Sequence, residues 1–290
     1  MLDVASARAA VNKRLAVSAT SGPQVGREED RTIQTGAGPI MIRIFRPKQS
    51  AAAAPPILIY YHGGGFVVGT VDSTNGICRD FTDRLGCITV SIDYRLAPEH
   101  KFPVPVDDSY AATVWIASHA AEIGGDPERI ALAGESAGGT LCAVISAQAR
   151  DTGDFKIVQQ VMIYPGTDMV MDSPSYSRLG EGYFLTLPKM RWFRDHYLRD
   201  EKDALDPKAS PLRGKDFSRL PPTLVITAGL DPLVDEGAAY ADRLKGASVP
   251  VEYVCLEGWL HGFLYWPGCE ALNKTMDLAA DCLKRSFARN

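Results

Sequence analysis

The stretch Gly134-Glu135-Ser136-Ala137-Gly138-Gly139 sets a serine among small neighbours in the pattern GxSxG. A serine hydroxyl is a weak nucleophile near neutral pH. It does chemistry only when a base lies within hydrogen-bond reach and a third group orients that base. The chemistry would then be acyl transfer. The apolar run RIALAGE ends at Glu135 and a helical pattern begins near Ala137, so the serine falls at the strand-to-helix turn that the motif requires. Small flanking residues let the helix pass close to the strand, and the helix N-terminus favours negative charge developing at the serine. The bland alternative is a glycine-rich turn with an incidental serine. A phosphate loop is disfavoured, because no Lys-Ser/Thr pair follows the glycines.

Acyl transfer also needs donors for the oxyanion, and His62-Gly63-Gly64-Gly65-Phe66 offers them directly after the apolar run PILIYY. Glycines let backbone N–H groups approach a ligand without Cβ obstruction. One preorganised donor is worth about 3 kcal/mol in such reactions. Gly63 and Gly64 are the expected donors, joined by the N–H of Ala137, the residue after the nucleophile. His62 reads as a buttress for this loop rather than as the base.

The acid and the base should follow the serine in the order Asp or Glu, then His, at the ends of later strands. Asp231 follows the run PTLVITAG in Gly229-Leu230-Asp231-Pro232-Leu233, at a strand's carboxyl end, where α/β proteins place ligand groups. Asp235 is the competing acid. It and Glu236 also suit the start of a helix, as caps and partners of its dipole. His261 lies in Gly258-Trp259-Leu260-His261-Gly262-Phe263 after the last apolar run, whereas His119 and His196 fall in helical stretches and His100 in an upstream loop. The serine and the acid are 95 residues apart, and His261 lies 30 further on, so only a fold can join them.

The elements that would do so are legible. Short runs rich in β-branched residues (41–47, 56–62, 87–94, 129–135, 158–165, 222–229 and 251–258) alternate with helical stretches (73–85, 106–121, 137–150, 235–245 and 269–287). This alternation predicts an α/β fold, a mostly parallel sheet with helices on both faces. Several runs are apolar almost throughout, as strands covered on both sides must be. Residues 168–213 break the pattern, being rich in aromatics, proline and charge, and are expected to form an inserted lid. The first thirty or so residues also lack strand character and are expected to supply its other part, so residues 1–290 read as one domain with a cap from about 1–35 and 168–213. Tyr183, Phe184, Trp192, Phe193 and Trp259 either line a pocket or pack the lid itself.

The net charge of −4, without a basic run, argues against nucleic acid as a partner. The N-terminal segment is interrupted by Asp3, Arg8, Lys13 and Arg14, unlike a signal peptide, and nothing approaches the 18 or more apolar residues of a membrane span. A cytoplasmic protein is the expectation. Cys78, Cys87, Cys142, Cys255, Cys269 and Cys282 show no metal-ligand spacing and read as structural thiols.

Taken together, the motifs resemble the bacterial hormone-sensitive lipase family of esterases. The resemblance rests on HGGGF, Asp93-Tyr94-Arg95-Leu96-Ala97-Pro98-Glu99-His100, Phe102-Pro103, Asp107-Asp108, GESAGG, Ala209-Ser210-Pro211-Leu212, DPLVDEG and HGF, in that order over nearly the whole chain. It implies an α/β-hydrolase fold with eight mostly parallel strands, a helical cap and the triad Ser136, Asp231 and His261. It also implies an oxyanion hole from Gly63, Gly64 and Ala137, and a homodimer through the last strand. The family usually has Asp where this chain has Glu135. GESAGG also occurs in type-B carboxylesterases, a rival whose members are longer and commonly use Glu as the acid. The expected activity is hydrolysis of small, short-to-medium acyl esters without metal or cofactor. Amide or thioester hydrolysis by the same groups, and a non-catalytic ligand receptor, are the alternatives.

Overall fold

The computed structural model describes residues 3–19, 22–50, 52–266 and 268–288. Met1, Leu2, Thr20 and Ser21 of the expected cap lie outside the described residues.

Along the chain, helix α1 (Val4–Ala19) precedes the antiparallel pair β1 (Arg27–Thr35) and β2 (Gly38–Arg46). Then come β3 (Ile57–Tyr61), α2 (Asn75–Leu85), β4 (Ile88–Asp93), α3 (Val104–Ser118), β5 (Ile130–Glu135), α4 (Ala137–Thr152) and β6 (Gln159–Ile163). The insertion after β6 carries α5 (Ser175–Leu179) and α6 (Leu187–Tyr197). The fold closes with β7 (Thr223–Leu230), α7 (Val234–Gly246), β8 (Val251–Leu260) and α8 (Glu270–Phe287).

The eight strands form one sheet in the order β1-β2-β4-β3-β5-β6-β7-β8. β2 is antiparallel to both β1 and β4, and β3 to β8 run parallel. Side chains alternate between the two faces of a strand, and the cores divide accordingly. Ile57, Ile59 and Tyr61 of β3 join the core that includes residues of α3, α4 and α7. Leu58 and Tyr60 join the one built against α2 and α8. Both faces are therefore dry, which explains why the central strands read as unbroken apolar runs.

β1 corrects the expectation that the first thirty-five residues belong wholly to a cap. Residues 27–35 pair with β2 from Arg27 opposite Arg46 to Thr35 opposite Gly38. The strand lies at the sheet edge, and of its nine residues only Ile33 is buried. Its charges pair laterally, Arg31 with Glu122 at 2.6 Å and Asp30 with Arg43 at 2.6 Å. A strand of this kind carries almost no apolar signal.

Arg8 anchors α1, donating to Val67 O at 2.8 Å and Ala97 O at 2.9 Å. The insertion is closed at its neck by Arg213, which donates to both carboxylate oxygens of Asp168 at 2.8 Å. Arg14 of α1 lies 4.6 Å above the Phe184 ring of the insertion, so the two segments touch. Among the described residues no helix is long and apolar enough to cross a membrane. Cys78, Cys87 and Cys142 are buried within the two cores, as structural thiols should be.

Candidate active site

The turn from β5 into α4 requires the helix to leave the strand at very close range. A Cβ at Gly138 would lie 1.9 Å from Tyr61 O, and one at Gly134 would lie 2.4 Å from Gly138 O. Only glycine permits this approach. Between them Ser136 takes φ 54° and ψ −120°, a conformation that costs a non-glycine residue about 1–3 kcal/mol. The strain is held by a hydrogen bond from Ser136 N to Ile163 O on the neighbouring strand, at 2.9 Å.

Asp231 follows the end of β7, where the pairing with β8 shifts register between Ala228 and Leu230. Such an irregularity re-aims the residues that follow it. Asp231 is 1% exposed, and its Oδ1 accepts the Leu233 amide at 3.0 Å. Its Oδ2 lies 2.6 Å from Nδ1 of His261, the first residue after β8. Nε2 of that imidazole lies 3.0 Å from Ser136 Oγ. Tyr164 packs against the imidazole with ring centroids 4.6 Å apart. A buried carboxylate on Nδ1 makes that nitrogen the donor and leaves Nε2 free to accept the serine proton.

The competing residues are bonded to other groups. Asp235 pairs with Arg178 through two bonds of 3.0 Å. Glu236 is buried, accepting the Thr167 amide at 2.5 Å and the Tyr176 hydroxyl. His119, just past the end of α3, and His196, within α6, bond the carbonyls of Trp115 and Trp192 at 2.9 and 2.8 Å. His62 is fully buried, stacks on Tyr94 at 4.2 Å and bonds Gly63 O through Nδ1 at 2.7 Å. It holds the glycine loop from behind, and burial lowers its pKa.

The glycine loop corrects one expectation. Gly63 donates its amide to Glu135 Oε1 at 2.6 Å, inside the protein, and so is not available to an oxyanion. The cause is the register of β3 beside β5, which sets Tyr61 opposite Gly134 and brings the Glu135 side chain to the first glycine. The following glycines turn away, Gly64 with φ 119° and Gly65 with φ 59°, while Gly64 O accepts the amides of Val67 and Val68 at 3.1 and 3.0 Å. All three glycines and Ala137 line one cavity with Ser136 and His261, but of the three Gly63 has its amide held by Glu135. Sequence reasoning passed over Gly65, although it stands in the same glycine run.

That cavity measures about 540 Å³, and both α1 and the insertion contribute to its walls. Phe184, Trp192 and Phe193 line it, whereas Tyr183 and Trp259 are not among its lining residues. Trp259 packs on Phe263 instead, with ring centroids 6.5 Å apart.

A family model described as the alpha/beta hydrolase fold matches residues 58–265, which span the glycine loop, the serine turn and the acid and histidine loops. The chain belongs to the α/β-hydrolase family, in its hormone-sensitive-lipase-type esterase branch. Among its relatives in that family is the carboxylic ester hydrolase LipN of Mycobacterium tuberculosis, 41% identical over 90% of this chain and 70% of the relative. The arylesterase of Saccharolobus solfataricus is 38% identical over 90% of this chain and 84% of the relative. A thermostable carboxylesterase from a metagenomic library has a solved structure that superposes with a TM-score of 0.93. It is 40% identical, with 99% of this chain and 98% of that one covered. The esterase of Pyrobaculum calidifontis superposes with a TM-score of 0.92 at 40% identity, over 98% of this chain and 94% of that one. This α/β-hydrolase thus shares its whole architecture with esterases, and its site chemistry can be read from its own residues.

Proposed function

We propose that the protein is a carboxylesterase that hydrolyses small, short-to-medium acyl esters through an acyl-enzyme on Ser136. The observation that carries this reading is the continuous hydrogen-bonded series from Asp231 through His261 to Ser136, at 2.6 and 3.0 Å. His261 takes the serine proton as the alkoxide attacks the ester carbonyl, and Asp231 orients the imidazole and stabilises its charged form. The amides of Gly64, Gly65 and Ala137 hold the oxyanion. The alcohol leaves with the proton from His261, and water repeats the sequence to release the acid.

Two features support the substrate class. The cavity of about 540 Å³ lies in the range of pockets that take small molecules, and Met169, Met171, Met190 and Leu185 make its wall apolar. α1 and residues 168–213 act as a cap over the serine in this reading, supported by their place in the cavity wall. A cytoplasmic homodimer joined through β8 is part of the same reading, supported by the position of β8 at the sheet edge.

The test is pre-steady-state hydrolysis of p-nitrophenyl esters of increasing acyl length. A p-nitrophenol burst that is present in the wild type and absent in a folded Ser136→Ala variant is expected, with turnover falling for long acyl chains. Full turnover by Ser136→Ala would overturn the mechanism. Faster cleavage of matched amides than of esters would favour the amidase alternative.

A further inference from the structure

Resting on the ester-hydrolase reading, we propose that Glu135 is a positioning residue: its carboxylate clamps the glycine loop and the histidine loop to the nucleophile turn and so sets the geometry of the oxyanion hole.

Glu135 is the last residue of β5 and directly precedes Ser136. Its side chain is 1% exposed and touches three separate segments of the chain. Oε1 accepts the Gly63 amide at 2.6 Å, at the root of the glycine loop. Oε1 also accepts the hydroxyl of Tyr265, which stands in the short 3₁₀ turn Phe263–Tyr265, four residues after His261. Oε2 accepts the hydroxyl of Tyr60, in β3, at 2.6 Å. Through one carboxylate the strand that delivers the nucleophile is therefore bonded to the loop that delivers the oxyanion donors and to the turn that follows the base.

The contact with Gly63 leaves little room for adjustment. A Cβ at Gly63 would lie 2.8 Å from Glu135 O and 2.9 Å from Oε1, so the loop sits as close to Glu135 as a glycine backbone can. From the other side, His62 Nδ1 bonds Gly63 O at 2.7 Å and the Tyr94 hydroxyl donates to His62 O at 2.7 Å. The first peptide of the loop is thus gripped on both its donor and its acceptor side. The next two amides, those of Gly64 and Gly65, are the ones the proposed mechanism assigns to the oxyanion. Their direction follows from how that first peptide is held.

A residue that only filled this space would be apolar, since burying a carboxylate carries a desolvation cost that its hydrogen bonds must offset. Burial does push the Glu135 pKa up, against the three donors that lower it. What the carboxyl group supplies, and an apolar side chain does not, is two oxygens able to accept from three donors at once. Gln keeps one such oxygen for Gly63 and can donate from its amide to Tyr60. Ala keeps none.

The experiment compares Glu135→Ala, Glu135→Gln and Tyr265→Phe with the wild type in steady-state kinetics on p-nitrophenyl acetate, with thermal unfolding recorded for each. In Glu135→Ala, kcat should fall about 100-fold, the scale of one lost oxyanion donor, with KM changed less than about twofold because ground-state binding is untouched. Glu135→Gln should stay within about fivefold of the wild-type kcat, and Tyr265→Phe should lose about tenfold. A folded Glu135→Ala with near-wild-type kcat overturns the proposal, and so does a Gln variant as impaired as the Ala variant. If Glu135→Ala does not fold, Tyr265→Phe decides, and an unchanged kcat there overturns the proposal. Wild-type turnover that survives Ser136→Ala would instead sink the ester-hydrolase reading itself, whatever the Glu135 variants do.

Discussion

Arg213 grips Asp168 with two parallel hydrogen bonds of 2.8 Å, joining the first and last parts of a forty-six-residue insertion. Asp168 is 3% exposed in its side chain and Arg213 is 31% exposed, so the buried carboxylate is paired with a partner that is partly in water. Removing that partner leaves a buried charge without a cation.

Arg213→Ala is therefore expected to destabilise the protein by about 2–4 kcal/mol, somewhat less than breaking a fully buried pair because the guanidinium is partly solvated. Urea unfolding measures this. Arg213→Lys should recover only part of the loss, since an ammonium cannot make the paired contact. An unchanged unfolding midpoint in the Ala variant would show that the neck is held by other means.

Two aspartates four residues apart should behave oppositely. Asp231→Asn is expected to lower kcat about 10⁴-fold with the fold intact, because the amide favours the wrong imidazole tautomer. Asp235→Asn should leave kcat within about twofold, since Asp235 contacts Arg178 at 3.0 Å on the surface of α7 rather than the imidazole. Steady-state assays on one ester separate them, and equal losses would refute the assignment of the acid.

The turn of the glycine loop has no space for a side chain at Gly64, where a Cβ would lie 2.0 Å from Val68 O at a φ of 119°. Gly64→Ala should reduce kcat at least about 10²-fold by displacing an oxyanion donor. Its effect on global stability should be smaller than its effect on rate. A variant with wild-type kcat would exclude this loop from the oxyanion hole.

Glu236 offers a pH test. Burial pushes its pKa up to about 8, with the Tyr176 hydroxyl and the Thr167 amide pulling the other way. Above the ordinary carboxylate range the unfolded chain has released this proton while the folded protein still holds it. The folded state then binds more protons, and stability falls as pH rises. The loss should run from about pH 4.5 to about pH 8 and level off beyond. Glu236→Gln removes the titration and should flatten the thermal midpoint across that window. An equally steep decline in the Gln variant would assign it to other groups.

The three side chains that the structure joins by hydrogen bonds, Ser136, His261 and Asp231, were legible in the sequence because each carries a local signal. Ser136 stands in a pattern that only a tight strand-to-helix turn needs, and Asp231 and His261 follow apolar runs with glycine beside them. The central strands were legible for a similar reason, since burial on both faces writes hydrophobicity into every position. β1 was not, because an edge strand with one buried residue, Ile33, is stabilised by pairing and ion contacts that leave no periodic trace.

The tertiary structure alone decided what the Gly63 amide bonds to. An amide's partner depends on what a neighbouring strand brings opposite it, and Gly63 meets Glu135 from 72 residues away. The sequence by itself determined which groups can react, because reactivity belongs to residue type and to local turns. That Gly63 is held by Glu135 was determined by strand register, a relation between distant segments that exists only once the sheet has formed.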